Sequence, residues 1–228
     1  MAVVRSILFA LAFYIGSIPF VIHAFLASLT TANYLRKAVW LWSSYHHFIA
    51  RWVLGIRTQV VGTMADKPVI YAVKHESMFE TIDMPRMFGW PAVIAKKELF
   101  RIPLWGRAGK TYGMMAVDRD AGSSALRAMV IWGKAMRAAG RPIVIFPEGT
   151  RVPHGETRPL QSGFAGLYKL IGLPVVPVAV NSGILCPRDQ KIRYSGTITY
   201  LIGEEIPAGL PREEIEARVI AAINALNN

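Results

Sequence analysis

The sequence predicts an α/β fold with a single mixed, mainly parallel sheet flanked by helices, preceded by an N-terminal hydrophobic helix that anchors the protein to a membrane. From about residue 58 onward, short apolar runs alternate with helical patterns, as expected of a sheet covered by helices. Upstream, residues 7–29 contain no Asp, Glu, Lys or Arg and are long enough as a helix to cross a hydrocarbon core. The 228 residues suffice for one domain with an anchor, so we divide the chain into an anchoring segment, 1–57, and an α/β domain, 58–228.

The composition of residues 7–29 does not determine whether the segment spans the bilayer or only enters it. Gly16 and Pro19 fall near its middle, and proline deletes a backbone hydrogen bond, so a bent or re-entrant segment competes with a straight span. A cleaved signal peptide is not favoured, because the run is too long and no small-x-small cleavage site follows it.

The next segment, residues 33–57, mixes aromatic and basic side chains in the way that a membrane interface favours. An ordinary amphipathic core helix is the alternative. No acidic residue precedes Asp66, so the first 57 residues carry only positive charge. This excess beyond the apolar run predicts that the domain lies on the cytoplasmic side of the inner membrane.

The composition restricts the partners. Hydrophobic residues make up 53% of the chain and the formal net charge is +11, which together favour membrane lipids or acidic molecules at a membrane surface. We find no zinc spacing, ribonucleoprotein motif or continuous basic helix, so no nucleic-acid partner is expected. A lone cysteine, Cys186, excludes an internal disulfide and a cysteine metal cluster.

The domain's elements follow from its apolar patterns. The predicted strands are 68–73, 91–95, 113–117, 142–146, 175–180 and 197–202. The predicted helices are 78–88, 122–139, 160–171 and 211–226. In such sheets the carboxyl ends of the strands are where function is expected.

Polar residues follow two of these strands. His75 comes just after the first, where it could be a base or a hydrogen-bonded structural residue. The sequence FPEGTR, residues 146–151, follows another buried strand, where it could form an anion site or a turn with a solvated arginine. A third segment interleaves glycines with basic residues, as in a phosphate-binding loop or a solvated basic face; these are Lys96, Lys97, Arg101, Arg107, Lys110 and Arg119.

Taken together, these residues resemble the glycerolipid acyltransferase family, and within it the bacterial lysophosphatidic acid acyltransferases. Its first motif, His-x4-Asp, corresponds to His75 and Glu80, with glutamate in place of aspartate. Its second, Lys-x-Leu-x-x-x-Pro-x-x-Gly, matches residues 97–106. Its third, Phe-Pro-Glu-Gly-Thr-Arg, is intact at 146–151, and a fourth, with Val-Pro-Val, matches 176–178.

The resemblance implies a direct acyl transfer with two catalytic residues. His75 would remove the proton from a glycerol hydroxyl as it attacks a thioester. Glu80 would hold the other ring nitrogen as a donor and stabilise the imidazolium. Ser77, although close, is interpreted as a turn or cap residue. The carbonyl oxygen would be met by backbone N–H groups of these loops.

The resemblance also implies a substrate-binding set. Arg151 and Lys97 would clamp the phosphate of the acceptor, and Glu148 would orient the glycerol backbone or the loop that contains Gly149 and Thr150. The implied partners are acyl-CoA or acyl carrier protein as donor and lysophosphatidic acid as acceptor, with no cofactor and no metal. Another lysolipid acceptor, such as lyso-ornithine lipid, and a non-catalytic lipid-binding protein of the same fold are the alternatives.

The remaining histidines are assigned no metal. His46 and His47 are neighbours in sequence and point to different sides of a helix, so they do not form a ligand pair. His154 is expected to be a solvated loop residue.

Overall fold

The computed structural model describes residues 1–118 and 122–227, so Arg119 of the basic segment lies outside the described residues. The strands are β1 Ile56–Val61, β2 Ile70–Val73, β3 Ala92–Lys96, β4 Met115–Val117, β5 Ile143–Ile145, β6 Val175–Val180 and β7 Gly196–Ile202. The helices are α1 Ala2–Ala27, α2 Ala32–Ile49, α3 Phe79–Met87, α4 Trp105–Tyr112, α5 Gly122–Ala138, α6 Ser162–Ile171, α7 Ser182–Leu185 and α8 Arg212–Ile223.

These strands form one sheet in the order β1-β7-β6-β2-β5-β3-β4. All neighbouring pairs are parallel except β6 and β7, which are antiparallel. The predicted fold class, a single mixed and mainly parallel sheet flanked by helices, is therefore confirmed. Each predicted strand and helix of the domain has a counterpart, with ends shifted by a few residues.

Apolar side chains cover both faces of the sheet. Along β2, Tyr71 and Val73 pack into one core with Met84 of α3, while Ile70 and Ala72 pack into the other with residues of α6 and α8. This alternation follows from the two-residue period of a strand. A strand buried on both faces is fixed in position, so the residue that follows it is held precisely.

The sequence did not predict three of these elements: the four-residue helix α7, the strand β1 and the helix α4. The strand β1 begins at Ile56, within the predicted anchoring segment, and most of its residues are exposed at the sheet edge, so it shows no continuous apolar run. The helix α4 contains two glycines, which weaken a helical pattern. A Cβ at Gly106 would overlap the carbonyl oxygen of Phe100, so the glycine permits a close approach between α4 and the preceding turn.

The helix α1 is continuous through Pro19 and packs along α2. Tyr45 Oη donates to the Ala12 carbonyl at 2.7 Å, and Trp42 Nε1 donates to Ser17 Oγ at 3.0 Å. The other side of α1 exposes a long apolar face; its members include Val4, Ile7, Leu8, Leu11, Ile15, Ile18, Ile22 and Leu26. The helix is long and apolar enough to cross a membrane by length and composition.

Candidate active site

The sheet topology brings the predicted motifs to one edge. β2 and β5 are parallel neighbours with Ala72 opposite Ile145, so the residues that follow them emerge side by side. β3 is also parallel to β5, and its following residues reach the same edge. His75 and the loop 146–151 therefore meet although they are far apart in sequence. The backbone N–H of Val152 donates to the His75 carbonyl at 2.7 Å and closes this junction.

His75 pairs with Glu80 across the first turn of α3. Nδ1 of His75 lies 2.9 Å from Oε1 of Glu80. An ionised carboxylate only accepts hydrogen bonds, so Nδ1 carries the proton and Nε2 keeps its lone pair. The imidazole stacks on Phe146 with ring centroids 4.0 Å apart, which restricts its rotation. Among the described residues, none hydrogen-bonds to Nε2, so this nitrogen is available to a substrate.

Glu80 is buried and surrounded by donors. Oε1 accepts from the backbone N–H groups of Glu76 and Ser77, both at 2.8 Å, in addition to His75. Oε2 accepts from the hydroxyls of Ser77 and Ser182 at 2.8 and 2.7 Å. Burial acts to raise the pKa of Glu80, but the hydrogen bonds and the positive charge of His75 outweigh it, and the pKa lies below its ordinary value. The carboxylate is therefore ionised at neutral pH.

Ser77 shapes the turn that positions this pair. Its Oγ accepts from the backbone N–H of Phe79 at 2.9 Å, as a cap residue does, while donating to Glu80. The same Oγ lies 3.1 Å from Ser182 Oγ, which follows β6. Ser182 was missed by the sequence reading, because a serine after a strand gives no signal of its own.

Glu148 lies behind the loop rather than in the cavity described below. Its Oε1 accepts from Lys74 Nζ at 2.7 Å, and its Oε2 from the His75 backbone N–H at 3.3 Å. Lys74 is fully buried and also donates to the Glu156 carbonyl and to Asn224 Oδ1. A buried charge pair persists only when its remaining hydrogen bonds are satisfied, as these are. Glu148 thus links the loop to the end of β2, and Lys74 was not anticipated from the sequence.

A cavity of about 860 Å³ opens beside His75. Most of its lining is apolar and comes from α1, α2, α3, α4, α5 and α6. Gly149, Thr150 and Arg151 line it on the side of His75; Gly149 has a φ of +70°, which lets the loop turn towards the cavity. A pocket of this size with few polar groups at one end is suited to a ligand with a polar head and an apolar chain.

Arg151 is one of the charged residues that line this cavity. No described residue forms an ion pair or hydrogen bond with the Arg151 guanidinium, whereas the Arg151 carbonyl accepts from Arg188 Nη1 at 2.7 Å. Arg188 also lines the cavity, so two arginines contribute positive charge to the cavity that His75 lines. Arg188 was missed because it follows β6 at a distance from every motif.

Lys97 is placed differently from the other predicted substrate-binding residues. It lies in the turn after β3, where its Nζ contacts Asp118 Oδ2 at 2.5 Å. The neighbouring Lys96 and Leu99 line the cavity. Among the residues that the structure describes, Lys97 is not one that lines it. The structure therefore groups His75, Glu80 and Arg151 closely and leaves Lys97 at the margin.

His154 is not a solvated loop residue, contrary to the expectation from sequence. Its Nδ1 lies 3.0 Å from Oε1 of the buried Glu76, whose Oε2 accepts from the Gly183 backbone N–H at 2.7 Å. Burial and, more weakly, the charge of Glu80 raise the pKa of Glu76, and the bonds from Gly183 and His154 only partly offset this. A polar loop sequence gave no sign of this buried carboxylate.

The comparisons with known proteins agree with this geometry. Residues 56–181 match the family model described as Acyltransferase. A 1-acyl-sn-glycerol-3-phosphate acyltransferase of Pseudomonas aeruginosa is 32% identical over 97% of this chain and 86% of its own length. The beta form of that enzyme from Homo sapiens is 28% identical over 67% of this chain and 56% of its own length. The crystal structure of the 1-acyl-sn-glycerophosphate (LPA) acyltransferase PlsC from Thermotoga maritima shares the fold, with a TM-score of 0.81 over 99% of this chain and 95% of its own, at 22% identity.

Proposed function

The chain belongs to the acyltransferase family, and we propose that it transfers a fatty acyl group from acyl-CoA or acyl carrier protein to the free hydroxyl of 1-acyl-sn-glycerol-3-phosphate, with His75 as general base. The product is phosphatidic acid, for phospholipid synthesis. The observation that carries this proposal is the His75–Glu80 pair at an apolar cavity beside Arg151.

The first step is the attack of the acceptor's hydroxyl on the thioester carbonyl. Nε2 of His75 takes the hydroxyl proton as the new C–O bond forms, and the resulting imidazolium is stabilised by Glu80. The tetrahedral intermediate then collapses, and the imidazolium returns the proton to the leaving thiolate. The apolar surroundings strengthen the interaction between the two charges.

The loop 146–151 supplies the remaining polar groups. The backbone N–H groups of Thr150 and Arg151 donate to no described residue, so they are available to the developing oxyanion. The guanidinium of Arg151 binds the acceptor's phosphate with paired hydrogen bonds. Glu148 acts on the acceptor through the loop that it holds, and Lys97 contributes charge from the cavity margin.

The apolar face of α1 associates the protein with a membrane. Because α1 contacts the rest of the protein along much of its length, we propose that it lies in the interface rather than spanning the bilayer. We place the domain on the cytoplasmic side of the inner membrane, where acyl-CoA and acyl carrier protein are found. Ile15→Asp and Ile18→Asp should release the protein from vesicles while keeping activity on short-chain soluble substrates; loss of both activities together would contradict this arrangement.

An assay with purified protein tests the reaction. Lysophosphatidic acid is supplied with acyl-CoA or with acyl carrier protein, and thiol release and lipid product are measured together. Phosphatidic acid formed by the native chain and not by His75→Ala supports the proposal. Thiol release with lyso-ornithine lipid alone would show that this lipid, and not lysophosphatidic acid, is the acceptor. No thiol release with any lysolipid would favour a non-catalytic lipid-binding protein.

A further inference from the structure

A second cavity lies at the amino ends of the central strands, whereas His75 lies at their carboxyl ends. It has a volume of about 330 Å³, and Pro68 and Pro142, which precede β2 and β5, are among its lining residues. We call it the Trp90 pocket after the indole in its wall. Arg36 and Arg141 also line it. None of the proposed catalytic or substrate-binding residues lies in this lining, so its role is separate from the acyl transfer.

Arg141 is a buried cation whose hydrogen bonds go to neutral carbonyl groups. It is only 6% exposed, and its Nε and Nη2 donate to the carbonyls of Trp90 and Pro91 at 3.2 and 3.1 Å. In the described part of the chain, no carboxylate forms an ion pair with it. Burial and the nearby Arg36 lower the pKa of Arg141, opposed only by Tyr112. Neutral carbonyls do not balance a buried charge, which ordinarily has an anionic partner.

Arg36 adds a second cation on the same indole. The guanidinium carbon of Arg141 lies 4.2 Å from the Trp90 ring centroid, and that of Arg36 lies 5.7 Å from it. Trp90 Nε1 is buried and has no hydrogen-bond partner among the described residues. Lys67, also in the lining, is paired with Glu205, and Asp66 is an exposed acid in the same wall. Two guanidinium groups beside one indole ring form a positively charged donor set suited to an oxyanion.

We propose that the Trp90 pocket binds the phosphate group of an anionic glycerophospholipid. Arg36 lies on α2 one helical turn from Trp40, which is 46% exposed, so the membrane association proposed above, on which this inference rests, puts the pocket beside an aromatic side chain at the interface. At this depth the accessible phosphates belong to lipid headgroups. The site would favour membranes that contain anionic lipid, without contributing to the chemistry at His75.

Phosphatidylglycerol is a suitable probe because it is neither the substrate nor the product of the proposed reaction. Binding of dihexanoyl phosphatidylglycerol, below its micelle concentration, is followed by the thermal shift of the full chain. Arg36→Gln should weaken this binding about tenfold, as expected when a charge-assisted hydrogen bond is lost. The matched control is Lys37→Gln, which removes the same charge from the next exposed position on α2 and should bind as the native chain does.

Vesicle partitioning and activity complete the test. Arg36→Gln should lose more of the preference for phosphatidylglycerol over phosphatidylcholine vesicles than Lys37→Gln, and should keep native turnover of short-chain soluble substrates. Arg141→Lys, if it folds, should also weaken binding, because the lysine ammonium cannot reproduce the planar guanidinium that stacks on the Trp90 ring. Equal losses in the Arg36 and Lys37 variants would overturn the site. Equal protection by inorganic phosphate at the same concentration would overturn the lipid assignment.

Discussion

Two histidine–glutamate pairs lie close together in this protein; they share the same contact geometry and differ in their access to the large cavity and in the donors around the carboxylate. His75 and Glu80 are joined at 2.9 Å, and His154 and Glu76 at 3.0 Å. His75 lines the large cavity, whereas His154 is not among the lining residues of the described chain. The residue types and distances alone therefore do not distinguish a catalytic pair from a structural one.

The carboxylates show the difference most clearly. In addition to the bond with His75, Glu80 accepts hydrogen bonds from two backbone N–H groups and two hydroxyls. In addition to the bond with His154, Glu76 accepts a hydrogen bond from one backbone N–H, that of Gly183. The pKa of Glu80 is accordingly lowered and that of Glu76 raised, although both are buried. The number of donors decides which carboxylate keeps its charge. A charged Glu80 can support an imidazolium, and Glu76 is the weaker support.

The largest expected effect separates the two histidines. His75→Ala should reduce turnover by about a hundredfold to ten-thousandfold, the range for a general base. His154→Ala should reduce it by less than about tenfold, because it removes a single hydrogen bond outside the cavity. The measurement is kcat with purified protein, with melting curves to show that both variants fold. Near-normal turnover of His75→Ala would refute the proposed mechanism.

A smaller but still large effect is expected at Glu80. Glu80→Gln keeps the side-chain size and removes the charge that stabilises the imidazolium, so kcat should fall by about ten- to a hundredfold. Glu80→Asp keeps the charge on a side chain one methylene shorter and should be milder. The measurement is kcat for both variants, compared with kcat for the native chain. If they fall equally, the charge of Glu80 is not what His75 requires.

The family resemblance implied one of the two pairs, His75 with Glu80, and nothing in the sequence implied the other. His75 and residues 146–151 follow buried strands, and parallel strands end at a common edge, so their meeting could be predicted. The Lys74–Glu148 bond and the Glu76–His154 bond connect residues 74 and 78 positions apart. Charged residues in polar loops carry no signal of burial, so these contacts could not be predicted from spacing.

The fold shows the same limit. Strands with apolar side chains on both faces, such as β2 and β6, were predicted almost completely, because burial imposes their composition. The edge strand β1 was missed, because backbone pairing with β7 holds it although most of its side chains are exposed. Backbone hydrogen bonds leave no pattern in side-chain type.

A more moderate loss of activity is expected from substitution of Arg151, which lines the same cavity as His75. Arg151→Lys keeps the charge and loses the paired geometry, so the KM for lysophosphatidic acid should rise and kcat/KM should fall by about tenfold. Thioester hydrolysis without acceptor should change less. The control acceptor is a lysolipid that lacks the phosphomonoester. An equal defect with that acceptor would assign the arginine to the loop or to the acyl donor.

The smallest effect compares the two glutamates by stability. A raised folded-state pKa means that the folded protein binds the extra proton, so the stability from Glu76 is fullest below the ordinary pKa of 4.5 and declines as pH rises through the folded pKa. Glu80 has the opposite sign: its contribution is present above 4.5 and is lost as pH falls through its lowered pKa.

At neutral pH the neutral isosteres should therefore diverge. Glu76→Gln removes a buried charge that folding disfavours and keeps an oxygen for the Gly183 N–H, so the melting temperature should change little or rise. Glu80→Gln leaves its donors with a poorer acceptor and should cost about 1.5 to 3 kcal/mol. Melting curves at pH 7 and pH 5 measure both. A fall for Glu76→Gln as large as that for Glu80→Gln would show that Glu76 is also held as a charged partner, and that the two pairs differ only in their access to the cavity.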